Sequence, residues 1–302
     1  MPFRISRLGY VEVKVLDLDD ALDFYTNVLG LQLVERVGKK AYLKTWDDQL
    51  AYSVILTEAD SPGMVRAAWR TVDPEDVDYF EKKLKQYEVQ YQVIPEDYKR
   101  GKAISFKTPS GHTFEIFNEI EIPGNVLPKD SPDPWPRGLK SDAINPPKID
   151  HTLITAPDPT KMIKFCEEVL EFRATEYIVN GEGQPIAAWL YQARQQPHDL
   201  AVIPGREAGM HHFAFHISSA QDIFRAADIM VMNDVKIDWG PGRHGITRGS
   251  GIYGNRIETF GGYTAYLFDP GAKPIIWTEE TMGKGVFYYE RKLVETFLTV
   301  YT

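Results

Sequence analysis

"LGYVEVKVLDLDDALDFYTNVLGL", residues 8 to 31, lies over "IDHTLITAPDPTKMIKFCEEVLEF", residues 149 to 172, without a gap. Phe24 falls on Phe165, Val28 on Val169 and Leu29 on Leu170. Both stretches read as a strand, an acidic turn, a helix of about three turns and the start of another strand. A second pair follows. "GMVRAAWRTVDPEDVDYFEKKL", from Gly63, lies over "GMHHFAFHISSAQDIFRAADIM", from Gly209, with Asp76 on Asp222. In each, a strand runs into a helix that opens on capping chemistry, Asp-Pro-Glu in one and Ser-Ser-Ala-Gln in the other. The chain is therefore two copies of one module of about 140 residues. Each module reads as strand, helix and three strands, twice over. Alternating runs such as "VILTEA", "AISFKTPSGHTFEIF" and "IAAWLYQ" support half-buried strands, and the class is α+β.

Between the copies, residues 118 to 147 carry seven of the twenty prolines. Proline can neither donate to a ladder nor sit inside a helix, so this stretch is an extended linker. The expected division is an N-terminal domain with its linker over residues 1–135 and a C-terminal domain over 146–302. The closing "GKGVFYYERKLVETFLTVYT" has aromatic-rich helical spacing and is expected to pack back or onto a neighbouring subunit. With 302 residues, 43% of them hydrophobic, the chain can fill two cores. A net charge of −9 argues against nucleic acid or an anionic membrane as a partner. No run of 18 apolar residues suggests a membrane span. "MPFRISRLGYVEV" lacks an apolar signal core, and the single Cys166, read as plain core, forbids an intrachain disulfide. Both suit the cytoplasm.

Six of the seven histidines lie between 151 and 244, all in the second copy. The duplication acts as an internal control. His151 falls on Tyr10, His212 on Arg66 and His216 on Arg70, so the shared fold does not need histidine there. By strand alternation His212 and His216 share a face, whereas His211 points the other way. His211 and His112 read as ordinary buried or surface residues. A carboxylate joins the set: Glu258 follows Gly254 by four residues, as Glu115 follows Gly111 in the first copy. Two histidines and a carboxylate on three strands make a facial triad, with His151, His212 and Glu258 as the candidates. His216 could replace His212 on parity alone. Such N and O ligands with open positions suit non-haem Fe(II). A closed structural zinc site would want four ligands, usually thiolates.

On these residues the chain resembles the vicinal oxygen chelate superfamily, and within it the type I extradiol dioxygenases of the catechol 2,3-dioxygenase kind. The resemblance rests on "KIDHTLI", "PHDLAVI", "MHHFAFH", "GPGRHGITRG", "NRIETFGG" and "FYYERKLVETFLTV", and covers nearly the whole chain. It implies tandem βαβββ modules forming two incomplete barrels, a metal-free N-terminal domain, a catalytic C-terminal domain and a homotetramer. It implies Fe(II), with Mn(II) open, held by His151, His212 and Glu258. It implies His198 as a histidine acting on oxygen, and His244 and Tyr253 as residues that meet the substrate. The reaction implied is cleavage of catechol, or a substituted catechol, by O2 beside its two hydroxyls, giving a 2-hydroxymuconic semialdehyde. A metal-dependent lyase or isomerase of the glyoxalase type on the same fold is the alternative, and a metal-free binding protein is a third reading. Arg243 and Arg248 hint at an acidic substrate without being placed in a pocket.

One interval departs from the pattern. Tyr253 precedes Glu258 by only five residues, where the family carries a longer hairpin. Aligned on the glycine, Tyr253 falls on Ser110, a turn position. A loss of five residues removes roughly 16 Å of hairpin, and an odd loss reverses which face a side chain meets. The spacing therefore predicts that several residues are missing near Ser250 to Gly254.

Overall fold

The computed structural model describes residues 2–123, 139–193, 196–254 and 272–295, together with the backbone of 257–261. In the first module β1 (Ile5–Val15) leads into α1 (Leu18–Asp23), which continues as a π-helical turn over Phe24–Val28. Then come β2 (Gln32–Val37), β3 (Lys40–Lys44) and β4 (Val54–Glu58). The unit repeats as β5 (Gly63–Thr71), α2 (Glu75–Gln86), β6 (Tyr91–Ile94), β7 (Ala103–Lys107) and β8 (Thr113–Phe117). The second module follows the same order. It has β9 (Ile149–Ala156), α3 (Pro159–Glu168), β10 (Arg173–Val179), β11 (Pro185–Tyr191) and β12 (Leu200–Pro204). It continues with β13 (Gly209–Ile217), α4 (Ala220–Met232), β14 (Ile237–Arg243), β15 (Ser250–Gly254) and β16 (Ile257–Gly261). A further strand, β17 (Ile275–Thr278), and a short helix, α5 (Met282–Val286), lie beyond it.

The helix starts explain themselves locally. Asp158 and Ser219 accept from the backbone N–H groups of Lys161 and Asp222, capping α3 and α4. The expected cap of α2 by Asp73 is reversed: Asp76, inside the first turn, accepts from the N–H of Asp73. Of the tail's helical spacing the described residues show α5, and the stretch from 296 onward lies outside the described residues; Phe287, just beyond α5, packs back with no exposed surface. Among the described residues no helix is long and apolar enough to cross a membrane.

Each module folds into one open sheet. The first runs β2-β3-β4-β1-β5-β8-β7-β6, the second β14-β15-β16-β13-β9-β12-β11-β10-β17. Neither closes, as expected of incomplete barrels. The two halves of a module join antiparallel through their first strands, β1 with β5 and β9 with β13. That pairing sets three strands side by side at the centre: β9, β13 and β16, with β1, β5 and β8 as their counterparts. The modules share one core, in which Trp69 meets Phe172 and Phe106 meets Phe165. Cys166 lies fully buried within it, as plain core, and burial pushes its thiol up.

Strict alternation fails along β13. Its register against β9 shifts between Met210 and His212 and again between Phe213 and Phe215. The first module has the same two irregularities, between Met64 and Arg66 and between Leu8 and Tyr10. A bulge adds a residue to one strand and re-aims the side chains beside it. The parity argument that set His211 apart from His212 does not survive this bulge, whereas from Phe213 to Ile217 β13 stays in step with β16.

Candidate active site

The central strands of the second module carry the candidate metal ligands. His151 stands on β9 and His212 on β13, each 1% exposed. Their Nε2 atoms approach to 3.3 Å. The other nitrogen of each ring is held: His151 Nδ1 lies 2.8 Å from Asp150 Oδ1, and His212 Nδ1 lies 2.7 Å from His211 Nδ1. A carboxylate only accepts, so His151 carries its proton on Nδ1 and turns a lone pair at Nε2 toward His212. Two ligands at right angles around a metal, each at about 2.1 Å, would be separated by roughly 3.0 Å. The pair therefore fits a bound cation, and the hydrogen bonds at Nδ1 are those that orient ligand imidazoles. His216 does not join them; its Nδ1 lies 3.4 Å from Asp150 Oδ2 on the far side of that carboxylate.

Glu258 lies on β16, and its side chain is outside the described residues. Its backbone is paired in register with Ala214 on β13 and with Tyr253 on β15. In the first module Glu115 is paired with Ala68 and Ser105 in the same way. Among the described residues no three His, Cys, Asp or Glu side chains converge as for a metal.

The register corrects the reading of the short hairpin. β15 is an unbroken strand, with ladder partners for every residue from Ser250↔Gly261 to Gly254↔Ile257. No residues are missing from Ser250 to Gly254, and Tyr253 lies in a strand rather than a turn. Its counterpart is Ser105, not Ser110. In the first module the hairpin has rungs at Glu115, Phe114 and Thr113 and then a loop. In the second, only the rungs at Glu258 and Ile257 remain. The five-residue difference is one rung, two residues, plus three residues of loop. Because it is divided between both arms and the loop, neither arm changes parity, and Tyr253 keeps its place opposite Glu258.

Around these residues lies a cavity of about 260 Å³. His151, His198, His212, His244 and Tyr253 all line it. The His198 ring centroid is 3.9 Å from that of His151, and the Tyr253 ring is 5.0 Å from that of His212. His198 follows a loop held by Thr175 Oγ1 on the Pro197 carbonyl and Gln196 Nε2 on the His198 carbonyl. His244 donates from Nδ1 to the Val286 carbonyl, so its Nε2 accepts from the Tyr253 hydroxyl at 2.9 Å. The wall is completed by Leu153, Ile178, Trp189, Ile246, Met282 and Val286. Neither Arg243, which donates to the Arg248 carbonyl, nor Arg248 is among the described lining residues. Sequence reasoning missed Asp150 and His211 as partners of the candidate ligands. Asp150 was visible, since a carboxylate directly precedes His151 in "IDH"; His211 was hidden by the bulge.

The first module fills the corresponding place differently. Tyr10 donates to Glu115 Oε2 at 2.8 Å, and Arg66 reaches Glu115 Oε1 and Glu12 Oε2, both at 2.5 Å. Glu115 and Glu12 are buried. Burial alone would push the Glu12 carboxyl up, but Arg66, Lys40 and Thr57 together hold it below the usual range.

Comparison with known proteins finds matches to both modules. The model of the Glyoxalase/Bleomycin resistance protein/Dioxygenase superfamily matches residues 7–116 and 148–271. The chain is 35% identical to a metapyrocatechase of Pseudomonas sp. (strain CF600), over 99% of both chains. It is 32% identical to a manganese-dependent 2,3-dihydroxybiphenyl 1,2-dioxygenase of Geobacillus genomosp. 3, over 96% of this chain and 95% of the relative. The crystal structure of the 2,3-dioxygenase LapB from Pseudomonas sp. KL28 superposes with a TM-score of 0.86 at 34% identity, covering 92% of this chain and 99% of that one.

Proposed function

Because the chain belongs to the Glyoxalase/Bleomycin resistance protein/Dioxygenase superfamily and is an extradiol dioxygenase of the catechol 2,3-dioxygenase type, we propose that it cleaves catechol, or a catechol with an apolar ring substituent, to a 2-hydroxymuconic semialdehyde, with Fe(II) as its metal. The observation that carries this reading is the meeting of the His151 and His212 Nε2 atoms at 3.3 Å, inside an apolar cavity. His151 and His212 would hold the metal. Glu258 is the third ligand in this reading, supported by its register opposite Tyr253 and its correspondence to Glu115. A divalent metal held there would favour loss of a phenolic proton, and Fe(II) would give electrons a path from the ring to O2. The ring bond beside the diol breaks and both atoms of O2 enter the product, so no further reductant is needed.

The chain's own groups do the rest. His244 Nε2 accepts from one substrate hydroxyl, in place of its present bond to Tyr253, while the Tyr253 hydroxyl donates to the substrate oxygen. That fixes the ring's orientation. His198, beside His151 in the cavity, moves a proton to and from the oxygen derived from O2, a task suited to an imidazole titrating near neutrality. Leu153, Trp189 and Ile246 exclude water and take up the ring. The cavity is smaller than the ~300–1,000 Å³ of drug-sized ligand sites, which suits a single-ring substrate. A metal-free N-terminal domain over residues 1–135, a catalytic domain over 146–302, a homotetramer and a cytoplasmic location belong to the same proposal.

The test is anaerobic purification with metal analysis, then oxygen uptake with catechol and alkylcatechols. One iron per chain and stoichiometric oxygen uptake with a yellow product are expected. Bound manganese with the same reaction would replace the metal, while metal-loaded protein that consumes no oxygen with any catechol would overturn the function. His198→Phe should keep its metal and bind catechol but turn over slowly. Loss of metal in that variant would make His198 a ligand instead.

A further inference from the structure

Glu176 stands on β10, two residues before the cavity-lining Ile178, and is 1% exposed. Nothing in the reaction uses it. A carboxylate in such a place is costly, and an apolar side chain would fill the space more favourably. Burial pushes its carboxyl up, against the donors that approach it. Its two oxygens serve two different segments. Oε1 accepts the backbone N–H of Thr247 at 2.5 Å, and Oε2 accepts the indole N–H of Trp277 at 2.6 Å.

Thr247 belongs to the loop between β14 and β15, residues 244–249, which lines the cavity with His244, Ile246 and Thr247. Thr247 and Arg248 both adopt the left-handed conformation, with φ of 61° and 56°. Side-chain-bearing residues hold that conformation only when their surroundings enforce it. Trp277 lies on β17, which leads into α5. From α5 the Gly285 carbonyl accepts from the N–H groups of Gly245 at 2.8 Å and Ile246 at 2.7 Å, and the next carbonyl, Val286, takes the His244 Nδ1–H. The approach is close enough that a Cβ on Gly245 would meet the Lys284 carbonyl oxygen at 2.6 Å. The loop and the segment that clasps it are thus joined to each other; β17 is also paired with β10 along a parallel ladder, and the Glu176 carboxylate adds a side-chain link from β10 to both.

We propose that Glu176 is a positioning residue for His244: it holds the 244–249 loop and the β17–α5 segment as one unit, so that His244 Nε2 stays turned into the cavity. This rests on the reading that His244 meets the substrate. Glu176→Gln keeps the shape but offers an amide N–H2 where a second acceptor is needed, so one of the two links is lost. The expected result is full metal content, a melting point within a few degrees of the parent and kcat/KM for catechol lower by about tenfold, the scale of one hydrogen bond to a charged group.

A double-mutant cycle with His244→Asn separates positioning from packing. If Glu176 acts through His244, the double variant is no slower than His244→Asn alone. Multiplying effects would overturn the proposal while leaving the His244 reading intact. A His244→Asn variant as active as the parent would overturn both. If Glu176→Gln does not fold, Trp277→Phe removes only the Oε2 link and is read in the same cycle by the same criteria.

Discussion

Tyr10, Arg66 and Glu115 occupy in the first module the places of His151, His212 and Glu258 in the second. Both sets stand on three adjacent strands brought together by the antiparallel joining of two half-modules, and both stand beside the same bulge. In the first, a guanidinium lies between two buried carboxylates and satisfies them. In the second, two imidazoles bring their Nε2 atoms within 3.3 Å of each other, and the counterpart of Glu12 is Leu153, a cavity wall. The comparison teaches that the fold supplies a point of convergence and a charge problem. One copy solves it with its own cation and closes; the other leaves room for a cation and a substrate. Under the function proposed above, that is a physical reason for one module to carry the chemistry while the other carries structure.

The comparison is broken most severely from the second module. His151→Ala and His212→Ala should each remove metal and activity together, by more than the ~100-fold typical of losing a residue that merely orients a ligand. The fold should remain, apart from the stabilisation that metal binding adds by mass action. Metal analysis and oxygen uptake on the same samples check this. An active, metal-loaded His212→Ala variant would transfer the ligand role to His216.

From the first module the damage should appear in stability instead. Arg66→Met leaves Glu115 and Glu12 without the cation that lies between them. Removing one partner of a buried ion pair costs about 3–5 kcal/mol. Urea unfolding should show that loss, with the metal still bound in the folded fraction. Tyr10→Phe, which removes one hydrogen bond to the Glu115 carboxylate, should cost less, about 1.5–3 kcal/mol. If either substitution emptied the metal site while leaving stability unchanged, the division of labour between modules would be wrong.

Much of this was legible in the sequence because a duplication supplies its own alignment. The ungapped pairs Phe24/Phe165 and Leu29/Leu170 gave the element order, and Arg66 opposite His212 picked out the point where the two copies differ. What was not legible lay in the backbone between rungs. A bulge at His211 cannot be seen in an alternating pattern, so parity wrongly set His211 apart from His212. The short hairpin was misread for a related reason. A loss of five residues was assigned to one arm, where it would reverse Tyr253, whereas the structure divides it over two arms and a loop. Capping was legible at Ser219, whose hydroxyl is free to reach Asp222, but not at Asp73, where Asp76 reaches back to accept instead.

The finest distinction between the modules is in their response to pH, and there the two copies should pull in opposite directions. Glu12, held below the ordinary carboxylate range mainly by Arg66, contributes stability that is present above its unfolded pKa of about 4.3 and is lost as pH falls through its folded value. Glu176, whose carboxyl burial pushes up, does the reverse: its contribution is fully present below that unfolded pKa and is lost as pH rises through its folded value. Urea midpoints should therefore be followed from acid to neutral pH for the parent, Glu12→Gln and Glu176→Gln, with chelator present so that protonation of the metal ligands does not enter. The gap between parent and Glu12→Gln should open as pH rises. For Glu176→Gln the same rise should turn the difference toward the variant. Parallel curves for both variants would mean that neither carboxyl changes its proton affinity on folding, and the contrast between a charge-filled module and an open one would then rest on the metal site alone.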